Sequence, residues 1–425
     1  MRQSGLGTFT RGDSSKVKQN GSGGLTSAAH MRVAIVHHWL LNRRGGERVI
    51  EALCELFPQA DIFTLLADPE ALSPALRKHK ITTSFLQKIP GSRTLHRHML
   101  PLYPLALEQF DLRDYDLVIS QESGPAKGVL VGPDTYHICY CNTPMRYIWH
   151  FYHEYKSRSA LGPVRKGMFA ITAHYVRMWD QLSAARVDHF IANSDNVARR
   201  IKRYYDRDSE VVYPPVDVSA AECSPTTDDY YLAVGQLVSY KRFDLAIEAC
   251  NRLGRRLRVV GTGEEYKRLK RIAGSTVSFL GSLSDADVRH EYASCRALLF
   301  PGEEDFGIVP VEAQAYGRPV IAFGKGGATE TVIPAGQGGS ATPERATGVF
   351  FREQTIEDMA DAILSFESME HHFSPEYIHA HAEKFDKHHF LTKISRLVAE
   401  RLGDSYRPAA PYAPEYSISA AVGSD

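Results

Sequence analysis

Short apolar runs recur along this chain, and each is followed by a glycine-rich turn and then by apolar residues at helical spacing. The first run, Arg32-Val-Ala-Ile-Val36, shows no apolar–polar alternation and so reads as a strand buried on both faces of a parallel sheet. The loop Asn42-Arg-Arg-Gly-Gly46 follows, and then Val49, Ile50, Leu53 and Leu56 lie on one helix face. Runs of the same kind stand at Leu117-Val-Ile-Ser120, His137-Ile-Cys-Tyr140 and His189-Phe-Ile-Ala-Asn193. A second series opens at Tyr231-Leu-Ala-Val-Gly235 and continues at Leu257-Arg-Val-Val-Gly261, Val277-Ser-Phe-Leu280, Ala297-Leu-Leu-Phe300 and Pro319-Val-Ile-Ala-Phe323. Strands alternating with helices at this spacing predict an α/β fold, with parallel sheets covered on both faces. At 425 residues the chain exceeds what one such core supports, so two α/β domains are expected.

The paired prolines of Val211-Val-Tyr-Pro-Pro-Val-Asp217 suit a stiff connection. They put the first domain at 31–213 and the second at 214–385, with a last helical segment at 386–403. Residues 1–30, rich in Gly and Ser and without the apolar core of a signal peptide, read as a disordered extension. Residues 404–425, rich in Pro, Ser, Ala and Tyr, read as a disordered tail. There is no run of about 18 apolar residues, so no membrane-spanning helix is expected. Lys plus Arg equals Asp plus Glu, 50 against 50, which argues against a dedicated nucleic-acid binder. The balance is uneven: 31–213 holds 24 basic against 19 acidic residues, and 214–403 holds 21 against 27. A basic first half suits an anionic acceptor or a membrane surface, and a chance imbalance on a solvated surface reads equally well. The cysteines at 54, 139, 141, 223, 250 and 295 form no Cys-x-x-Cys pair and no zinc pattern with histidine. Buried thiols in a reducing cytoplasm, and no metal, are expected.

Chemistry concentrates at the strand ends of the second series. Pro301-Gly-Glu-Glu-Asp-Phe-Gly-Ile-Val-Pro-Val-Glu312 leaves a strand, turns at Gly307 and enters a helix near Pro310. The amides of Phe306, Gly307, Ile308 and Val309 then point out of a helix N-terminus, where phosphate binds. Glu304 and Glu312 bracket that cradle and suit sugar and ribose hydroxyls; equally, acidic residues favour a helix start. In Gly235-Gln-Leu-Val-Ser-Tyr-Lys-Arg242, Lys241 and Arg242 stand just before a helix, where cations need an anion to offset the helix dipole. They suit a diphosphate leaving group. Gly261-Thr-Gly-Glu264 lacks the third glycine of a dinucleotide fingerprint, so it reads as a nucleoside-facing loop or a plain turn. Gly324-Lys-Gly-Gly-Ala-Thr-Glu330 is a fourth such turn, with Glu330 available to a hydroxyl. In the first domain, Arg43-Arg-Gly-Gly-Glu47 offers mobile amides near the cleft.

From 31 to about 403 the chain resembles a family 4 glycosyltransferase of the GT-B fold, two Rossmann-like domains facing across a cleft. Gly45-Gly-Glu47, Asn142-Thr-Pro-Met-Arg146, Gly235-Gln236 through Lys241-Arg242, Gly261-Thr-Gly263 and the Glu304 to Glu312 signature carry the resemblance. It implies a nucleotide-diphosphate sugar donor held by the second domain, retention of anomeric configuration, no cofactor or essential metal, and final helices over 375–402 that cross back to the first domain. Gln236 replaces an arginine frequent in the family, and Asn142 a histidine. Asparagine hydrogen-bonds a hydroxyl but carries no proton. Thr143-Pro-Met-Arg-Tyr-Ile-Trp149 resembles bacterial mannosyltransferases of polysaccharide synthesis, implying GDP-mannose as donor and a glycan or lipid-linked acceptor. Such an enzyme is expected in the cytoplasm, peripheral at the inner face of the membrane. A sugar-nucleotide epimerase or a non-catalytic nucleotide-sugar binder is the alternative, and a dinucleotide-dependent dehydrogenase fits worst.

Some patterns are lures. Asp114-Tyr-Asp116 mimics a metal motif but precedes its strand, so it reads as a charged loop, and Asp285-Ala-Asp287 follows Ser284 as a helix start. Met168, Ile171, Thr172, Tyr175, Trp179 and Leu182 follow helical spacing, which as a rule means core. With Lys156, Arg158, Arg165 and Lys166 nearby, the same stripe suits a membrane-surface helix. Arg77, Lys78, Lys80, Lys88, Arg93 and Arg97 form a second basic stretch, suited to a lipid diphosphate or to solvent.

Overall fold

The apolar run at 32–36 becomes strand β1 (Val33–His37), buried at every position as its unbroken apolar pattern requires. In this computed structural model the described residues are 31–42, 45–158, 162–223, 226–336 and 341–403. The expected extension at 1–30, the expected tail at 404–425 and Arg43 and Arg44 of the first glycine loop lie outside them.

β1 is joined by β2 (Asp61–Thr64), β3 (Ile81–Thr83), β4 (Leu117–Glu122), β5 (Tyr136–Cys141), β6 (His189–Ala192) and β7 (Ser209–Val211). These form one parallel sheet in the order β3-β2-β1-β4-β5-β6-β7. A second parallel sheet contains β8 (Tyr231–Val234), β9 (Leu257–Val260), β10 (Val277–Gly281), β11 (Leu298–Phe300), β12 (Val320–Phe323) and β13 (Gly348–Phe351). Its order is β10-β9-β8-β11-β12-β13. The chain is thus two parallel-sheet, Rossmann-like α/β domains. In each, successive strands step outward from the first, then restart on its other side. The crevices between β1 and β4, and between β8 and β11, are where open α/β sheets bind ligands.

Every strand read from the sequence is present. β2, β3, β7 and β13 were not read; each is three or four residues long, and β3 and β7 are half-buried edges with no period to detect.

The helix Lys387–Leu402 places Phe390, Leu391, Ile394, Leu397 and Val398 in the core beneath β1, β4 and β5. Phe390 meets the buried Tyr140 ring at 5.5 Å. Asp386 starts this helix: one carboxylate oxygen accepts from the His388 amide at 2.9 Å, the other from Val218 at 3.1 Å and Ser219 at 2.9 Å. The connection after β7 packs too, with Tyr213 against Phe306 at 5.4 Å and Phe385 at 5.1 Å.

The helix Pro163–Ala184 overturns one expectation. Met168, Ile171, Tyr175 and Leu182 are exposed, and the face that packs inward is Ala173, Val176, Asp180, Ser183 and Ala184. Asp180 explains this register. It forms an ion pair with Lys127, both fully buried, and accepts from Trp149 Nε1 at 2.7 Å and Tyr205 OH at 2.8 Å. Gly128 leaves room for the Trp179 ring, which a Cβ there would meet at 2.1 Å. These bonds fix the segment 142–149 that leads from β5 into the cleft. Asp180→Ala strands a buried ammonium, so urea denaturation should show a loss of about 3–5 kcal/mol. The double variant Lys127→Met/Asp180→Leu should recover most of it. A single-variant loss below about 1 kcal/mol would remove the pair from this role.

Candidate active site between the two sheets

At the crevice of the second sheet, the loop after β8 and the loop after β11 touch. Gly235 has φ +143°, and a Cβ on it would sit 2.9 Å from Lys241 Nζ, so the glycine makes space for that lysine. Gly302 does the same for the backbone, since a Cβ there would stand 2.8 Å from Lys241 Cα. Lys241 Nζ then reaches Glu304 Oε1 at 2.7 Å, an ionic contact off the line of a hydrogen bond. Burial, the largest influence on Lys241, lowers its pKa; the Glu304 carboxylate and Tyr240 outweigh it and leave the value raised, so the ammonium stays charged.

Below this pair begins the helix Ile308–Ala315. Its N-cap is Gly307, at φ +86°, with no side chain capping the first amides and no acidic residue in the first turn. Those amides lack helical partners by construction, so the helix start presents positive potential. Phe306 is buried beside Tyr213, Phe385 and Val311 and anchors the turn from below. Arg242, φ +53°, is one of two non-glycine residues in the left-handed region among those described, at about 1–2 kcal/mol. Its guanidinium lies 3.2 Å from Asp244, so Arg242 is tied to its own helix and Lys241 alone faces Glu304.

The first sheet closes over this helix start. A Cβ on Gly45 would stand 2.8 Å from Ile308 Cδ1, and one on Gly46 would lie 3.7 Å from Asn142 Nδ2 and 3.5 Å from Gln121 Nε2. His37 ends β1 beside them, with Nδ1 3.2 Å from the Gln121 carbonyl and Nε2 3.9 Å from Glu47 Oε1. Gln121 is fully buried, and neither polar atom of its amide has a hydrogen-bond partner. A buried amide left unpaired is destabilising in itself.

Ionic contacts hold the sides together. Asp305, buried, takes Arg146 Nε at 2.9 Å and a second Arg146 nitrogen on one oxygen, and Arg200 on the other. Arg146 lies 5.3 Å over the Tyr240 ring, so the clamp reaches the residue next to Lys241. Glu312 pairs with Arg48 of the helix Gly45–Leu56 and accepts from Tyr292 OH at 2.8 Å.

The structure therefore brings Gly45, Gly46, Asn142, Gly235, Lys241, Glu304, Phe306, Gly307, Ile308 and Glu312 to one cleft, with Val309 in the helix's first turn. Gln236 lies in the same loop as Gly235. Three others stand apart. Gly261 and Gly263 face the loop itself, since Cβ atoms there would meet the Gly235 and Leu237 carbonyl oxygens at 1.9 and 2.2 Å; they let the loop pass. Glu330 accepts from the amides of Asp195 at 2.8 Å and Asn196 at 2.9 Å, so it caps the helix Asp195–Tyr205.

Sequence reasoning did not single out Asp305, Arg200, Arg48, His37, Gln121 or Gly302. Polar residues ending β1 and β4, the two strands at the switch point, were the available signal for His37 and Gln121. Among the described residues no group of three His, Cys, Asp or Glu side chains is placed to hold a metal ion, and no helix is long and apolar enough to cross a membrane. Asp116 accepts from the Arg32 amide at 2.7 Å, and Ser284 caps its helix by accepting from the Asp287 amide at 3.2 Å.

Residues 218–385 match the family described as Glycosyl transferases group 1, and residues 43–220 match Glycosyltransferase Family 4. The chain is similar to the Homo sapiens Alpha-1,3/1,6-mannosyltransferase ALG2, 28% identical over 220 residues, 42% of this chain and 53% of that protein. It is also similar to the Corynebacterium glutamicum GDP-mannose-dependent monoacylated alpha-(1-6)-phosphatidylinositol monomannoside mannosyltransferase, 40% identical over 90 residues, 19% of this chain and 24% of that one. The chain thus spans about half or less of the length of these curated relatives. Among solved structures, Anabaena HepE in complex with UDP and glucose shares the fold with a TM-score of 0.63, at 16% identity over 88% of this chain and 100% of that one. Two adjoining family matches, one for each sheet, and a shared two-sheet architecture lead to one conclusion: the chain belongs to the family 4 glycosyltransferases of the GT-B fold.

Proposed function

We propose that this chain is a retaining, metal-independent glycosyltransferase that moves a hexose, mannose from GDP-mannose, to a glycan or lipid-linked acceptor. In this reading it works from the cytoplasm, peripheral at the inner face of the membrane, in assembly of a bacterial surface polysaccharide. The observation that carries the reading is the Lys241–Glu304 pair, set 2.7 Å apart above a helix start with no capping side chain. In this reading the donor diphosphate lies between Lys241 and the helix start, with Gly45 and Gly46 of the first sheet on its other side.

In the reaction the bond between the sugar C1 and the phosphate oxygen breaks. Lys241 and the amides of Gly307, Ile308 and Val309 stabilise the charge that collects on the departing diphosphate. Arg242 contributes from its place beside Asp244. The acceptor hydroxyl bonds to C1 on the face the phosphate leaves, and its proton passes to the leaving phosphate oxygen, so no protein base is required. Glu304 holds a hydroxyl of the transferred sugar while still beside Lys241. Glu312 reads the ribose once Arg48 releases one of its oxygens. Asn142, Gln121 and His37 complete the sugar's surroundings from the first sheet. The relatives named as mannosyltransferases, one of them GDP-mannose-dependent, favour mannose; the structural neighbour holds UDP. The base is therefore decided by assay.

Lys241→Ala and Glu304→Gln should each lower turnover about 10²–10³-fold with circular dichroism unchanged. Full turnover by both variants would sink the site. GDP-mannose bound without sugar transfer to any glycan or lipid-linked acceptor would favour a non-catalytic binder instead. Gln121→Met removes an unpaired buried amide, so thermal stability should hold or rise while turnover falls about tenfold. A destabilised variant with unchanged turnover would make Gln121 purely structural.

A further inference from the structure

The helix Pro163–Ala184 carries an apolar face that nothing in the fold covers. Val164, Met168, Ile171, Tyr175, Met178 and Leu182 are between 48% and 75% exposed. Their spacing of four, three, four, three and four residues keeps them on one side of the helix. The 22 residues span about 33 Å, so the stripe is long and flat. Isolated exposed apolar residues mean little, but a contiguous row of this length marks a surface that leaves water in use. The exposure continues onto the adjoining helix Tyr103–Glu108, tied to this one where Trp179 Nε1 donates to Glu108 at 2.8 Å, and which leaves Leu105 in solvent.

Charge decides between occupants. Arg165 and Lys166 open the helix, and its one acidic residue, Asp180, is buried against Lys127. Gly167, His174 and Gln181 line the exposed flank. A second copy paired through this heptad-like seam would find no exposed acid on the facing helix to meet Arg165 or Lys166. An anionic lipid surface meets both features: the apolar row enters the headgroup–acyl boundary, and Arg165, exposed beside Val164 on the first turn, meets phosphate at its edge.

We infer that this face is a docking surface for an anionic lipid bilayer, on which the helix lies flat. The inference rests on the reading above only for its location at a membrane, and lipid-linked acceptors would then arrive at the first sheet, the side of the cleft opposite the donor.

The test uses the full chain and vesicles of phosphatidylcholine alone or mixed with phosphatidylglycerol, scored by flotation without any sugar nucleotide. Wild type should float with the anionic vesicles, and added salt should weaken this. Ile171→Glu/Leu182→Glu should reduce flotation about tenfold or more while GDP-induced thermal stabilisation stays unchanged. Arg165→Glu/Lys166→Glu should lose the preference for anionic lipid. Equal flotation of wild type and Ile171→Glu/Leu182→Glu overturns the assignment. So does a wild-type dimer that ignores vesicles and becomes monomeric in that variant, because a second copy then covers the face. Since flotation needs no donor, failed docking leaves the proposed reaction standing, and failed transfer leaves the docking face standing.

Discussion

Asp305 is the contact on which the site's geometry depends. One buried carboxylate is shared by Arg146 from the segment after β5 and Arg200 from the helix after β6, although 159 and 105 residues separate them in sequence. Burial, the largest influence on Arg146, lowers its pKa, but Asp305 and Tyr240 overcome it and the guanidinium stays charged. Two cations on one buried anion leave each dependent on the other partners nearby, so the clamp is strong only when all three groups meet. Its position matters as much as its strength. Asp305 sits directly between Glu304 and Phe306, so what joins the sheets also sets the residue beside Lys241 and the residue that begins the helix turn.

Around that clamp, glycine does the spacing. Gly302, Gly261 and Gly263 each stand where a Cβ would strike the neighbouring loop, and Gly235 where one would strike Lys241 of its own loop; together they let three strand-end loops stack within van der Waals range. Gly45 carries the same constraint across the cleft to Ile308. The cradle is thus made by backbone approach, with Lys241 and Glu304 as its two charged side chains. Such a surface suits a ligand that is anionic at one end and hydroxylated at the other.

Much of this was legible in the chain, for identifiable reasons. Parallel strands buried on both faces are unbroken apolar runs, so nine of the thirteen strands among the described residues appear in the sequence; β3 and β7 are half-buried edges, which carry no such signature. Lys241, Glu304 and Gly307 were legible because each lies at a strand end before a helix, where local sequence dictates geometry. The pairings Arg200–Asp305 and Arg48–Glu312 were not, because no local pattern couples positions so far apart. Glu330 adds what local sequence does not show: an acid in a glycine turn suits a hydroxyl, and here its oxygens also accept from the amides of Asp195 and Asn196. The stripe on Pro163–Ala184 misled because helical period alone does not say which face is inside; the buried Lys127–Asp180 pair does.

The claim at the centre is that a diphosphate, more than a base or a sugar, is what the cleft between Lys241 and the Gly307 turn recognises. Isothermal titration of GDP against GMP, and of UDP against UMP, measures that directly. Whichever base is preferred, the proposed site predicts that its diphosphate binds about tenfold or more tightly than its monophosphate, the second phosphate adding the contacts to the lysine and the helix amides. Equal affinity for the two would contradict it.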